Sequence, residues 1–443
     1  MINQTEQMMY RLNNLDTLQR KLNFQYGGKQ LENGSDDSIL YSRIVSVDDK
    51  IRTYEGIETQ IERTVVQNNT ADSSMKEIKK ILEYINAELI KANTDTTSED
   101  GLKAIAVNIA GMKENLYDLA NTQVEGEYVF TGSDSSIKPF EMNSNGKVIY
   151  AGDNKLRKVA VEEGSYRERG ISGFDVMMYS SATAYKGETL SFKSTDRILD
   201  QDGNEWIMKD KIESGNDVIF SVNQQLVDDN NTVWNLNTST IPAQLEDVDG
   251  NIFPGTVNYD GVSSYSVTVP VNTTLGINEY VKYNLDGEIS LPEEVLVPTY
   301  NNIDNTISIA VPNEEGIKFE AKTNIFDLID NVVNSLNKVD SAGNPISDTQ
   351  ARTLIGKGLE ELTKAYDGVN IAHAELGSRN KIFETSLEGI GSKLTQYKKL
   401  SQDLSSSNLT EVALQAKALE LTYTALYSTI SKTNQLSLVN FMN

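Results

Sequence analysis

The chain of 443 residues contains no cysteine, which excludes a disulfide framework and a thiolate metal site alike. It has a single histidine, His373, so neither a Cys–His pair nor a His-rich metal centre can be assembled. A Ser–His–Asp arrangement stays formally open, but no Gly-x-Ser-x-Gly elbow is present to carry its nucleophile. The phosphate-binding Gly-x-x-x-x-Gly-Lys-Ser/Thr loop and the dinucleotide fingerprint are also missing, so no cofactor is expected. Bases are scarce: 40 Lys and Arg stand against 64 Asp and Glu, a net charge of −24 that argues against nucleic acid or an anionic membrane as partner. With a mean hydropathy of −0.40, no apolar run is long enough to cross a bilayer. Met1 to Tyr10 lack a basic stretch followed by an apolar one, so a cleavable secretory signal is not expected. Nothing in this inventory points to an enzyme.

What the chain does have is two apolar-striped ends. In the last stretch Val412, Ala416, Leu419, Tyr423, Leu426, Ile430 and Thr433 recur at alternating steps of four and three. That is a heptad seam on a helix without internal Pro or Gly. Near the start Thr5, Met8, Leu12, Leu15, Gln19 and Leu22 keep the same step. Periodicity alone fits a helical hairpin folded within one chain, or ends that pair with each other and with neighbours. Residues 1–44 hold five acids and five bases, and residues 405–443 hold two of each, whereas about −14 of the charge lies in 136–319. Neutral ends can pack closely; an acidic middle stays solvated.

In chain order, a helix is expected from about Asn3 to Tyr26, stopped by Gly27-Gly28. A polar turn follows, in which Ser35, Asp36 or Asp37 caps the next helix. Two helical segments then run over 39–69 and 71–92, with Gly56 a weak spot, and a third over 101–122. Gly126 to Asp134 reads as strand and turn, and 136–319 as β, with Asp202-Gly203, Asp249-Gly250 and Asp286-Gly287 as turns. No internal repeat stands out there. Asp200 to Glu205 looks superficially like a calcium loop, but its Gly is fourth and no Glu is twelfth. Helical pattern resumes over 325–336, and again over 347–404 with Leu354, Leu362, Val369, Ile382 and Leu400 among its inward candidates. Six glycines in that last segment predict a kink or break.

Several motifs resemble the flagellin superfamily. Gly28-Lys29-Gln30 followed by Gly34-Ser35-Asp36-Asp37 is similar to the family's N-terminal loop, with Ser38 standing where Pro or Ala is expected. Tyr128, Phe130 and Gly132 with Pro139-Phe140 look like the Gly-x-Tyr-x-Phe-x-Gly … Pro-Phe signature of the hook-associated protein 3 family. Gly146 to Asp153, the Gly377-Ser378-Arg379 segment and the closing Ser431 to Leu438 are likewise similar to that family.

The resemblance covers roughly residues 1–150 and 320–443 and implies a nested α+β multidomain fold. In it, 1–44 with 405–443 form a terminal coiled-coil assembly domain and 45–135 with 320–404 a helical rod. Residues 136–319 form an outward β-rich domain of one or two subdomains. It implies a structural junction adaptor between hook and filament of a bacterial flagellum, exported by the flagellar type III route without a cleaved signal. The implied partners are identical subunits in a ring, the neighbouring junction protein, flagellin, and an export chaperone on the C-terminal helix. The expected assembly residues are Met8, Leu12, Leu15 and Leu22 at one end, and Leu419, Tyr423, Leu426 and Ile430 at the other. Two competitors are a flagellin filament subunit and an extracellular adhesive or carbohydrate-binding protein on a helical stalk.

Overall fold

The structure is a computed structural model that describes residues 2–94, 97–143, 146–209, 211–212, 215, 217–230, 232–283, 294–301, 306–340 and 343–441, with the side chains of 2–5, 211, 283, 301 and 433–441 outside the description. Its helices are α1 (Ile2–Tyr26), α2 (Ser38–Ala92), α3 (Glu99–Ala120), α4 (Gly173–Met177), α5 (Ile325–Leu336), α6 (Asp348–Ser405) and α7 (Leu409–Phe441). A β-rich region lies between α3 and α5, so the chain is an α+β protein whose two ends are helical. The helix caps are polar residues, Asp37 among those expected. Asp37 Oδ1 accepts from the backbone N–H of Ile39 and Leu40 at the start of α2. Ser98 does the same for α3 and Asn324 for α5.

Four local expectations are corrected. The two segments over 39–69 and 71–92 are one helix of 55 residues, running through Gly56. The long C-terminal segment is one helix of 58 residues, with no break at its glycines. The heptad explains why. Ile355, Leu362, Val369, Leu376, Phe383 and Ile390 are all buried at steps of seven, with Gly358, Ala365 and Ala372 at the small positions between them. Gly358 is there for contact: a side chain at that point would press on Val332 of α5. This phase also turns the expected Leu354, Ile382 and Leu400 outward, at 39%, 42% and 43% exposure. Finally, only Glu127–Tyr128 of the run from Gly126 to Asp134 is strand, paired to Gln123–Val124. The turn expected at Asp286-Gly287 lies outside the described residues.

Contacts divide the chain into two units. One comprises 1–65, 158–167 and 381–443; the other comprises 66–157 and 168–380. The first pairs α1 with α7 and packs the hairpin of Lys158–Glu162 and Ser165–Glu168 on the early part of α2 and the late part of α6. Its core is Tyr54, Ile57, Ile61, Val161, Phe383 and Ile390. Around it, Lys50 pairs with Glu163, Lys393 with Glu162 and Lys398 with Glu55, and Tyr54 stacks on Tyr397 at 5.6 Å.

Among its described residues the second unit holds three cores. In the helical one, Met75, Ile78 and Leu82 of α2 meet Ile105 and Ile109 of α3, Phe326 and Ile329 of α5, and the α6 seam. The second lies on a six-stranded sheet, ordered Val295–Leu296, Tyr280–Tyr283, Glu205–Met208, Arg197–Asp200, Lys318–Asn324 and Met178–Tyr185. Trp206, Phe192, Tyr280 and Phe319 fill it. The third lies wholly within 212–277, between a five-stranded and a three-stranded sheet, around Phe220, Trp234, Phe253 and Tyr265. The first unit is close to neutral, 17 acids to 16 bases, so the chain's negative charge sits almost entirely in the second.

Buried carboxyls make that second unit sensitive to pH. Desolvation raises Asp196, although it accepts from Lys193 N and Thr323 Oγ1, and desolvation raises Asp327 as well. A carboxyl raised on folding contributes stability that is complete below its unfolded value near 4 and is lost as pH climbs through the folded value. Asp196→Asn should therefore gain on the natural chain as pH rises from about 4 to 7. Urea midpoints of both proteins over that range check this; a constant gap between them refutes it.

Candidate assembly interface

The two terminal helices are tied at their inner ends by backbone hydrogen bonds, with side chains reinforcing them. Gln30 N–H donates to Ser405 O at 2.7 Å and Ser407 N–H to Gly28 O at 3.2 Å, which sets Lys29 opposite Ser406 as an antiparallel bridge. Ser407 Oγ donates to Gln25 O at 2.6 Å, and Gln25 Nε2 to Gln30 O at 3.0 Å. This clasp needs Gly28, whose φ of +86° is the left-handed region that a side chain disfavours. The motif residues around it have plain local jobs. Asp36 Oδ2 accepts from Asn33 N and closes the turn, Asp37 caps α2, and Lys29 and Ser35 are exposed.

From the clasp α1 and α7 pair along the expected seam. Leu22 and Val412 are buried near its base, while Met8, Leu12, Leu15, Leu419, Tyr423, Leu426 and Ile430 are half-buried. Gln19 is exposed; the side chains of Thr5, Thr433 and the motif onward to Leu438 lie outside the described residues. Among the described residues a polar contact crosses the pair from Tyr423 OH to Asp16 Oδ1 at 2.6 Å. Desolvation and then the Asp16 carboxylate push the Tyr423 hydroxyl up to about 12, so it stays a donor at any ordinary pH.

The seam is only half of what α7 presents. Leu414 and Leu421 are 69% and 64% exposed, with exposed Ala418 and Ala425 between and after them. These four repeat the steps of four and three, two residues out of phase with the inner seam, or about 200° around the helix. On α1, Met9 and Tyr10 are exposed at 58% and 69%. Sequence reasoning missed this second stripe because it assigned one apolar face to the helix; the same heptad step, read from Leu414, would have found it.

The remaining motif residues sit in the second unit and build a knot. Phe130 and Phe140 are buried there, with Phe140 against Tyr150 at 5.0 Å and Phe326 at 5.5 Å. The Tyr150 hydroxyl lies 2.7 Å from Asp153 O and 3.0 Å from Thr131 O, and burial raises its pKa well above the ordinary tyrosine value. Gly132 has φ +101°, and any side chain on it would collide with Asp153. Pro139 O accepts from Ala151 N at 2.8 Å, and Tyr128 N donates to Ser135 O at 2.9 Å. Arg379 donates to Gly170 O at 3.0 Å and pairs with Glu375 at 3.3 Å. Gly377, by contrast, has open space where a side chain would stand.

Polar candidates for chemistry are occupied by structure. His373 Nε2 is 2.7 Å from Asp72 Oδ1, and Lys76 pairs with the same carboxylate at 2.6 Å. Asp200 accepts from Asp202 N, Asn204 N and Trp206 Nε1 within its own turn. Among the described residues no group of three or more His, Cys, Asp or Glu is placed to hold a metal, and no helix is long and apolar enough to cross a membrane.

Residues 2–135 match the bacterial flagellin N-terminal helical region. The chain is 25% identical over 183 residues to the flagellar hook-associated protein 3 of Salmonella typhimurium, covering 40% of this chain and 56% of that protein. It is 25% identical over 135 residues to the protein of the same name from Escherichia coli, covering 30% and 42%. The match thus spans about half the length of these relatives. A crystal structure of the flagellar hook associated protein-3 of Legionella pneumophila superposes over 82% of this chain and 98% of that one, at 15% identity and a TM-score of 0.45.

Two glycines of the motifs should respond in opposite ways to alanine. Gly28→Ala forces a side chain into the left-handed region, a cost of about 1–2 kcal/mol, and should speed hydrogen exchange at the Gln30 and Ser407 amides of the clasp. Gly377→Ala meets nothing and should stabilise α6 by about 0.5–1 kcal/mol, read as a raised urea midpoint.

Proposed function

We propose that this chain, whose first 135 residues match a flagellin N-terminal helical region, is a structural component of the bacterial flagellum: the adaptor at the junction of hook and filament. The observation that carries this reading is the double seam of α7. One stripe is filled by α1 of the same chain, and the other, through Leu414 and Leu421, is left to water. An isolated pair of helices buries little, and a neighbouring subunit supplies the missing surface. A head-to-tail contact that does not close on itself builds a tube. The nested division fits this use: 1–44 with 405–443 as the assembly domain, 45–135 with 320–404 as the rod, and 136–319 facing solvent. The relatives from Salmonella typhimurium and Escherichia coli are named flagellar hook-associated protein 3, which supports the reading over the part of their length that matches.

In this role the protein has no catalytic duty. It forms a ring of identical subunits between the neighbouring junction protein and flagellin. It leaves the cell by the flagellar type III route, without a cleaved signal and with a chaperone on α7. Met8, Leu12, Leu15, Leu22, Leu419, Tyr423, Leu426 and Ile430 hold the terminal pair together, and Leu414 and Leu421 meet the neighbour.

Leu426→Asp places a charge on the inner seam and should abolish incorporation into flagella while residues 45–404 stay folded by circular dichroism. Leu421→Asp should abolish incorporation too, yet leave the melting of the free chain unchanged, because its side chain is already exposed. Normal assembly of both variants would remove the seams from the account. Immunogold labelling of intact flagella against 136–319 places the protein directly. A single band at the hook–filament boundary is expected, and label along the whole filament would mean a filament subunit.

A further inference from the structure

Residues 205–208 and 280–283 are adjacent antiparallel strands of the six-stranded sheet, in register from Glu205 opposite Tyr283 to Met208 opposite Tyr280. One step further, Lys209 N–H donates to Glu279 O at 2.7 Å, and the Lys209 ammonium lies 3.7 Å from the Glu279 carboxylate. A two-residue turn would finish this hairpin. Instead the chain leaves at Lys209, builds eight strands and a core of its own, and returns at Glu279. Among the described residues that core shares none with the core of the carrying sheet. The departure and return points are already joined by the sheet, so the loop imposes almost no closure cost on it.

Charge sets this stretch apart as well. Residues 212–278 contain eight Asp and Glu and not one Lys, Arg or His. Three of the acids hold turns by accepting from backbone N–H groups two to four residues on. Asp228 accepts from Asn230 N and Thr232 N, Asp247 from Asp249 N and Asn251 N, and Asp260 from Val262 N and Ser263 N. Asp217 accepts from Thr268 Oγ1 and ties two strands together. Carboxylates held by hydrogen bonds donated to them need no cation from elsewhere in the chain. The module is thus self-sufficient in both its apolar and its polar interactions.

We infer that residues 209–279 are a separable display module, an insertion within the β region that folds on its own core and presents an anionic surface, and that the sheet carrying it is complete without it. This goes beyond the assembly role and does not depend on it. At 71 residues the segment is within the size at which single domains fold alone. The position between Lys209 and Glu279 is then a point where this fold can gain, lose or exchange a whole domain.

The chain has two tryptophans, and each reports one core: Trp206 the sheet and Trp234 the module. The test removes 210–278 and joins Lys209 to Glu279 through Asn-Gly. The expected result is a shortened chain whose Trp206 emission and urea midpoint equal those of full-length Trp234→Phe. In parallel, full-length Trp206→Phe and Trp234→Phe should unfold with separate midpoints, each reporting its own core. Exposure of Trp206 in the shortened chain, or full-length transitions that coincide in midpoint and slope, overturns the inference.

Discussion

The inner ends of the terminal helices meet through two main-chain hydrogen bonds, and the pairing of α1 with α7 starts from that meeting. Gln30 and Ser405, with Gly28 and Ser407, fix where α1 stops and α7 begins. Because these bonds are made by backbone, they set the register of the pair before any side chain is chosen. The seam above them then has only to be apolar, and it is: leucines with a methionine on one side, mixed aliphatic residues and a tyrosine on the other. A pair of helices tied at one end and half-buried along its length is held weakly by its own contacts. Its second stripe makes it a surface that gains stability from company.

The second unit solves a different problem, that of letting a β region grow out of a helical one. The aromatic knot around Phe130, Phe140 and Tyr150 does this with close contacts that only glycine permits at 132, 152 and 173. Motif residues that look from sequence like recognition elements are therefore mostly packing constraints. Gly377 is not one of them, since a side chain there would face open space among the described residues.

Much of this was legible in the sequence where a period was long and uninterrupted. The seams from Met8 to Leu22 and from Val412 to Ile430 read directly, as did the capping acids beside Asp37. Glycine was over-read: Gly56 and the glycines of α6 signalled weakness, yet the heptad through Ile355, Val369 and Ile390 carries the helix past them. The run from Gly126 to Asp134 reads as strand and turn because its residues favour strands and glycines flank it. What decides its path is the long-range contact of Phe130 with residues far along the chain, which no local pattern encodes. The β region also hid a recurring device. In two hairpins an Asp accepts from the indole of a Trp six residues later, Asp200 with Trp206 and Asp228 with Trp234. One conserved spacing among variable turn residues is too sparse to stand out as a repeat.

The division of charge has a consequence for how copies of this molecule crowd together. One unit carries 17 acids and 16 bases, so contacts made through it are nearly indifferent to ionic strength. The other carries 47 acids and 24 bases, so neighbouring copies repel through it in dilute buffer, and salt at physiological strength shortens the reach of that repulsion to about 8 Å. Added salt therefore favours close packing of this chain, the reverse of what is seen when oppositely charged surfaces drive association.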